Sequence, residues 1–172
     1  MKQYVFKVVV VGDERVGKTS LIVRFTEKRF SEEYKPTIGI DFAGKFVSFG
    51  KLDLNLIIWD IGGQEKYKIL RRHYLEGARG AILVYDITNK SSFKNLRKWL
   101  SDLDKYCGKV PIILVGNKSD LNTERKISTN QGSELAEETK LEFLETSAKS
   151  GHKVKDVFNM IAENIVERYV PK

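Results

Sequence analysis

Short apolar runs alternate with amphipathic segments along this chain, and the spacing predicts the elements. Val5–Val11 is near-continuously apolar and rich in β-branched residues, which predicts a buried strand. Gly17–Lys28 has helical spacing. Ile40–Phe49 and Leu52–Asp60 read as two strands joined by a tight turn at Gly50-Lys51, a hairpin pattern. Glu65–Leu75 predicts a short helix, Ala81–Asp86 a buried strand, and Ser91–Tyr106 a helix with Ser91 or Ser92 as its cap. Val110–Gly116 predicts another buried strand, Thr129–Lys140 a helix and Leu141–Glu145 a short strand. The last segment, Lys153–Tyr169, is apolar at Val154, Val157, Phe158, Ile161, Ile165 and Val166, one face of a helix. Strands this apolar, alternating with helices, predict an α/β fold of three layers: a six-stranded, mostly parallel sheet with one antiparallel strand and about five helices. Ligands in such sheets bind at the carboxyl ends of the strands, so the loops that follow those ends are the place to look for chemistry.

Composition narrows the picture. At 172 residues, 41% hydrophobic and 31% charged, the chain suits one domain spanning residues 1–172. A single cysteine, Cys107, excludes a disulfide framework and a multi-cysteine zinc site within the chain and suits a reducing compartment. Thirty basic against 23 acidic residues give a net charge of +7, which admits nucleotide, nucleic acid or membrane as an anionic partner. The basic residues are spread along the chain with no aromatic-basic recognition motif, which argues against nucleic acid. Met1–Val11 has Lys7 within its apolar run and no small-residue cleavage site, so a signal peptide is not expected. No stretch approaches the ~18 apolar residues of a membrane span. There is no C-terminal cysteine box and Gly does not follow Met1, so no lipidation site is visible, and membrane association stays open.

The loop after the first strand, Gly12-Asp13-Glu14-Arg15-Val16-Gly17-Lys18-Thr19, matches G-x-x-x-x-G-K-[ST] between a strand and a helix. Its glycines let the backbone wrap a phosphate. The amides from Asp13, Glu14, Arg15, Val16 and Gly17 on to Lys18, Thr19 and Ser20, together with the helix N-terminus, then stabilise the negative charge. Lys18 is placed to reach the β- and γ-phosphates and Thr19 to ligate Mg²⁺. The loop after the hairpin reads Asp60-Ile61-Gly62-Gly63-Gln64-Glu65. An acid ending a buried strand is costly unless it meets a cation or water, so Asp60 is the natural indirect Mg²⁺ partner. Gly63 offers an N–H to a γ-phosphate, and Gln64 has the donor and acceptor needed to orient an attacking water. In Asn117-Lys118-Ser119-Asp120, the Asp120 carboxylate matches the two adjacent donors of guanine, a pair adenine lacks, and Lys118 can lay its stem over the base. In Thr146-Ser147-Ala148-Lys149, the Ala148 N–H suits guanine O6 and Lys149 can flank the base. Either of these last two segments alone reads equally as a polar turn; the order and spacing of all four are far more specific.

With these four segments the chain resembles the Ras superfamily of small GTPases over about residues 5–169, and within it the Rab family. The Rab marks are Lys35-Pro36-Thr37-Ile38-Gly39-Ile40-Asp41-Phe42, then Trp59-Asp60, then Ile82-Leu83-Val84-Tyr85-Asp86-Ile87-Thr88. The resemblance implies a P-loop NTPase fold that binds GTP or GDP with Mg²⁺ and acts as a switch in vesicle trafficking. It also implies that Thr37 ligates Mg²⁺ and senses the γ-phosphate, that Phe30 packs on guanine and that Tyr34 folds over the phosphates. Switch I would run over about residues 30–42 and switch II over about 61–76. Effectors, exchange factors and GTPase-activating proteins would meet these switches, and Phe42, Trp59 and Tyr74 fall where Rab members carry an aromatic effector triad. Ordinary packing accounts for those three aromatics equally well. A cytoplasmic location, with peripheral membrane association open, follows from the same likeness.

Two departures stand out. Ile61-Gly62 replaces the Thr-Ala usual in Rab and Ras members and looks more like the Arf family and heterotrimeric G-protein α subunits. Glu14 and Arg15 occupy phosphate-loop positions where Ras has glycine and where Rab members usually have a small residue at least once. They either crowd Gln64 and its water or point to solvent, and Arg15 either offsets the Glu14 charge or stabilises the transition state in cis. The sequence therefore predicts a GTPase with Gln64, Lys18 and Thr37 as its catalytic residues, slow without an activating protein. The alternative is a GTP-binding module whose hydrolysis Glu14 and Arg15 impair. A P-loop kinase or ATPase is the other rival, and Asp120 argues against it.

Overall fold

The run of valines in β1 (Lys2–Val11) shows how the sheet is built. In the computed structural model, which describes residues 2–172, Val8, Val9, Val10 and Val11 are all buried, so the strand is covered on both faces. Successive side chains in a strand point to opposite faces. Val8 and Val10 accordingly join a core under α1 (Lys18–Glu27) and the C-terminal helix, while Val9 and Val11 join a second core on the other side. The same split recurs along β4 (Gly80–Asp86), where Ile82 and Val84 face the first core and Ala81, Leu83 and Tyr85 the second.

Among the described residues the sheet has six strands in the order β2-β3-β1-β4-β5-β6. β2 (Ile40–Phe49) and β3 (Leu52–Ile61) form the antiparallel hairpin, and every other neighbouring pair is parallel. β5 covers Ile112–Asn117 and β6 Glu142–Glu145. The described residues include six α-helices rather than five. The segment expected as one helix over 91–106 is two, α3 (Lys90–Lys94) and α4 (Leu96–Cys107), separated at Asn95. Asn95 accepts no interior helical role because its side chain donates to Asp13 Oδ2 at 2.7 Å, a partner 82 residues away. Neither Ser91 nor Ser92 is the cap: Asn89 is, and its side chain accepts from the Ser92 N–H. Ser92 is buried instead, its hydroxyl accepting from the Asp86 N–H at 3.0 Å.

The segment expected as one short helix over 65–75 differs as well. Glu65–Leu70 is a 3-10 segment and only Arg71–Leu75 (α2) is α-helical. A further 3-10 segment, Ser119–Glu124, follows β5 where no element was expected. The fifth helix, α5 (Thr129–Thr139), starts with a reciprocal Ser128–Gln131 capping box, which satisfies two amides that a helix start leaves unpaired. The last, α6 (Val154–Tyr169), buries Val154, Val157, Phe158, Ile161, Ala162 and Ile165. The predicted apolar face was right except at its margin, since Val166 is only partly buried.

The register brings the candidate loops together. Val10 pairs with Asp60, Asp86 with Asn117, and Gly116 with Glu145, so the ends of β1, β3, β4, β5 and β6 lie along one edge of the sheet.

Candidate nucleotide site

A cleft of about 480 Å³ opens at that edge, lined by residues of all four motif loops and of the segment preceding β2. Its floor is the turn from β1 into α1. Gly12, at φ 146°, lies so close to β4 that a Cβ there would sit 2.2 Å from the Val84 carbonyl oxygen, and one on Gly17 would sit 2.3 Å from Asn117 Nδ2. Only glycine admits such approaches. Lys18 is buried, and its ammonium donates to the Gly12 and Asp13 carbonyls at 2.8 and 2.7 Å. An ammonium has three protons, so one remains for a ligand in the cleft. Burial lowers the Lys18 pKa to about 8, against the pull of Asp60 and Asp13. A charge held at that cost is relieved by an anion.

Beside Lys18 three oxygen-bearing side chains converge from distant parts of the chain. Thr19 Oγ1 donates to Asp60 Oδ2 at 2.5 Å and lies 2.8 Å from Thr37 Oγ1. Thr37 Oγ1 is 3.4 Å from the same Asp60 oxygen. Asp60 is buried, which raises its carboxyl pKa despite the Thr19 hydrogen bond, and its Oδ1 has no hydrogen-bond partner. Two hydroxyls and a buried carboxylate with an unspent acceptor are a hard-oxygen donor set, and they fit Mg²⁺ bound through few protein ligands and water.

The other end of the cleft is cross-braced. Asn117 donates from Nδ2 to the Val16 carbonyl at 3.0 Å and accepts on Oδ1 from Thr146 at 3.0 Å, tying the phosphate loop to the fourth loop. Lys118 Nζ pairs with Asp86 at 2.8 Å and donates to the Arg15 carbonyl at 2.7 Å. Ser147 donates to Asp120 Oδ1 at 2.8 Å, which orients that carboxylate at the cleft. The roof is the segment over residues 29–39, pinned by the Lys149–Glu32 ion pair at 2.8 Å.

The Ras family sequence model matches residues 7–167. Mouse Ras-related protein Rab-17 is 45% identical over 167 residues, covering 96% of this chain and 78% of the relative. Ras-related protein RabC of Dictyostelium discoideum is 39% identical over 168 residues, covering 95% and 85%. RABA6b of Arabidopsis thaliana is 44% identical over 156 residues, covering 90% and 68%. This chain belongs to the Ras family.

Ras-family members are GTPases, and the relatives make this one Rab-like. Set against that membership, the candidate residues fall into two groups. Glu14, Arg15, Gly17, Lys18, Thr19, Ser20, Phe30, Tyr34, Thr37, Gly63, Gln64, Asn117, Lys118, Asp120, Ala148 and Lys149 all line the cleft. Asp13, Val16, Ser147 and Asp60 do not. The Asp13 carboxylate turns away, accepting from Asn95 and from Trp99 Nε1 at 2.9 Å, which anchors the phosphate loop to α4. Val16 packs its side chain into the first core, and Ser147 and Asp60 act from behind Asp120 and Thr19. Glu14 and Arg15 are both exposed on the lip, with the Arg15 guanidinium 4.2 Å from the centre of the Tyr34 ring. The sequence reading missed Val23, Arg29, Glu32 and Leu121, which also line the cleft. Val23 was findable, since it stands one helical step beyond Thr19 and Ser20.

Proposed function

We propose that this chain is a single GTP-binding domain that cycles between GTP and GDP with Mg²⁺ and hydrolyses GTP slowly. The observation that carries the reading is the meeting of Thr37 from switch I with Thr19 and Asp60, 2.8 Å at its closest. It joins the expected switch I segment to the metal and phosphate site, so the conformation of residues 30–42 becomes sensitive to what the site holds. Thr19, Thr37 and, by way of water, Asp60 would hold Mg²⁺, which would supply positive charge to offset that of the phosphates.

This chain's own groups supply the rest. Lys18 and the loop amides stabilise negative charge as the γ-phosphoryl departs, in a floor where burial strengthens each interaction. Gln64 lies in the cleft lining, where its carbonyl oxygen can accept a hydrogen bond from water and its NH₂ can donate to an oxygen, orienting that water for in-line attack. Asp120, oriented by Ser147, accepts from the two adjacent donors of guanine and gives no such match to adenine. The phosphate loop's guanidinium, Arg15, is stacked on Tyr34, which is why intrinsic turnover is expected to be slow and a GTPase-activating protein to be required.

Effectors and an exchange factor would read switches I and II. Phe42 and Trp59 meet edge to face with centroids 4.5 Å apart, and Phe42, like Ile38 and Ile69 of the two switch segments, is exposed and open to a partner. A cytoplasmic location peripheral to membranes follows from the Rab likeness; among the described residues no helix is long and apolar enough to cross a membrane.

The second reading, a GTP-binding module with impaired hydrolysis, rests on the Glu14 carboxylate in the cleft lining. The test is to denature the purified protein and identify what it releases, then to follow phosphate release in a single turnover. Guanine nucleotide together with release that Gln64→Leu abolishes supports the switch. Adenine nucleotide overturns the reading, and guanine nucleotide without release, even with an activating protein, favours the module.

A further inference from the structure

Arg15 is an unusual choice for its position. Its backbone is left-handed, with φ 67°, a conformation glycine occupies without strain and a long side chain does not. Two contacts compensate. Its carbonyl accepts from Lys118 Nζ at 2.7 Å, and its guanidinium lies 4.2 Å from the centre of the Tyr34 ring. A planar guanidinium on an aromatic face is a favourable pairing that survives partial exposure. Tyr34 remains 42% exposed, within a stretch over residues 29–39 that has no helix or strand. That stretch is otherwise tied at its ends. The Glu32–Lys149 pair holds one side, with side chains 74% and 54% exposed, and Thr37 holds the other through Thr19 and Asp60. An ion pair that exposed is weak and screened by salt.

We infer that Arg15 is a latch: it fastens Tyr34 over the cleft and so slows nucleotide exchange. The latch spans three parts of the chain. Lys118, which also pairs with Asp86 at 2.8 Å, holds the Arg15 backbone, and Arg15 holds Tyr34. The loop that reads the base and the segment that roofs the phosphates are thus joined through one phosphate-loop residue. Arg15 is a positioning residue here and acts through Tyr34. The inference rests on the reading that the cleft takes a guanine nucleotide.

The test is a double-mutant cycle on the full chain, loaded with fluorescent N-methylanthraniloyl-GDP and Mg²⁺ and chased with unlabelled GDP. Arg15→Gly is expected to release nucleotide about two- to fivefold faster, the range of a partly exposed cation–π contact. Because glycine relieves the left-handed strain, this variant should melt at or above the wild-type temperature, which separates a latch from loss of folding. In a Tyr34→Phe background, which keeps the ring, Arg15→Gly should produce the same ratio. In a Tyr34→Ala background the ratio should fall to about one. At 1 M salt the wild-type to Arg15→Gly ratio should persist, whereas an effect carried by the Glu32–Lys149 pair would fade. Arg15→Gly release equal to wild type overturns the latch. So does an undiminished ratio in the Tyr34→Ala background, which would mean that Arg15 acts on the nucleotide directly. Failure of the wild type to bind guanine nucleotide overturns both the latch and the site reading beneath it.

Discussion

Gly63 is where switch II rests on the phosphate loop, and the closeness of that contact sets a sharp expectation. A Cβ at Gly63 would lie 2.4 Å from the Glu14 amide nitrogen, 2.4 Å from the Gly12 carbonyl oxygen and 2.5 Å from the Asp13 carbonyl carbon. All three are backbone atoms, in a loop braced by Lys18, by Asn117 and by the Trp99–Asp13 hydrogen bond. Ordinary contact for a Cβ begins near 3.4 Å, so Gly63→Ala requires a separation of about 1 Å. The braced loop will not yield, so switch II must, and Gln64 moves with it. A displacement of about 1 Å in a group that positions a reactant costs on the order of 100-fold in rate. Gly62→Ala is the control. Its Cβ would meet the Thr37 and Gly39 carbonyl oxygens at 3.0 Å and the Tyr67 ring at 2.9 Å, contacts that a few tenths of an ångström relieve. It should cost less than about tenfold. The assay is single-turnover phosphate release from GTP-loaded protein, with GDP affinity measured in parallel. Gly63→Ala should lose about 100-fold in the rate with little change in GDP affinity. A rate within about threefold of wild type, or an equal loss in Gly62→Ala, would refute the argument that this contact holds Gln64 in place.

Other expectations follow from the same structure. Burial pushes the Cys107 thiol up to about 11, against the pull of Lys7, and the thiol donates to the Leu75 carbonyl at 3.2 Å. Its iodoacetamide alkylation at pH 8 should be about 100-fold slower than in the urea-unfolded chain, and equal rates would contradict the burial argument. Because the folded state keeps this proton at a pH where the unfolded chain has lost it, the thiol's contribution to stability should be intact below pH 9 and decline as pH rises from 9 through 11. Phe158 is 1% exposed and stacks on Phe25 with centroids 4.2 Å apart, so Phe158→Ala should cost ~3–5 kcal/mol in urea unfolding. Arg125 binds Glu145 with two hydrogen bonds of 2.7 and 2.9 Å and also donates to the Ile127 carbonyl. Arg125→Met should cost about 1–3 kcal/mol by the same measurement, and Arg125→Lys should recover little of it, because an ammonium cannot reproduce the fork.

Several features were legible in the sequence because their causes are local. Near-continuous apolar runs predicted strands covered on both faces, and β1 and β4 divide alternate side chains between two cores as that pattern requires. The glycines and lysine of residues 12–19 specify a backbone that wraps a small anion whatever surrounds it. The hairpin, with its turn at Gly50-Lys51, was placed to within a residue, since turn geometry fixes register. Other features depended on partners far along the chain. Asn95 breaks a helix and Asp13 turns from the cleft because each finds the other across 82 residues. Asn117 proves to be a brace because its two partners, Val16 and Thr146, reach it through the fold from 101 and 29 residues away. Glu14 and Arg15 were known from the sequence as bulk in the phosphate loop, but their direction was not. The sequence by itself determined which loops carry the chemistry, because strand ends and glycine turns are set by near neighbours. Only the tertiary structure decided that Arg15 meets Tyr34, because a side chain's direction is chosen by the surface packed against it.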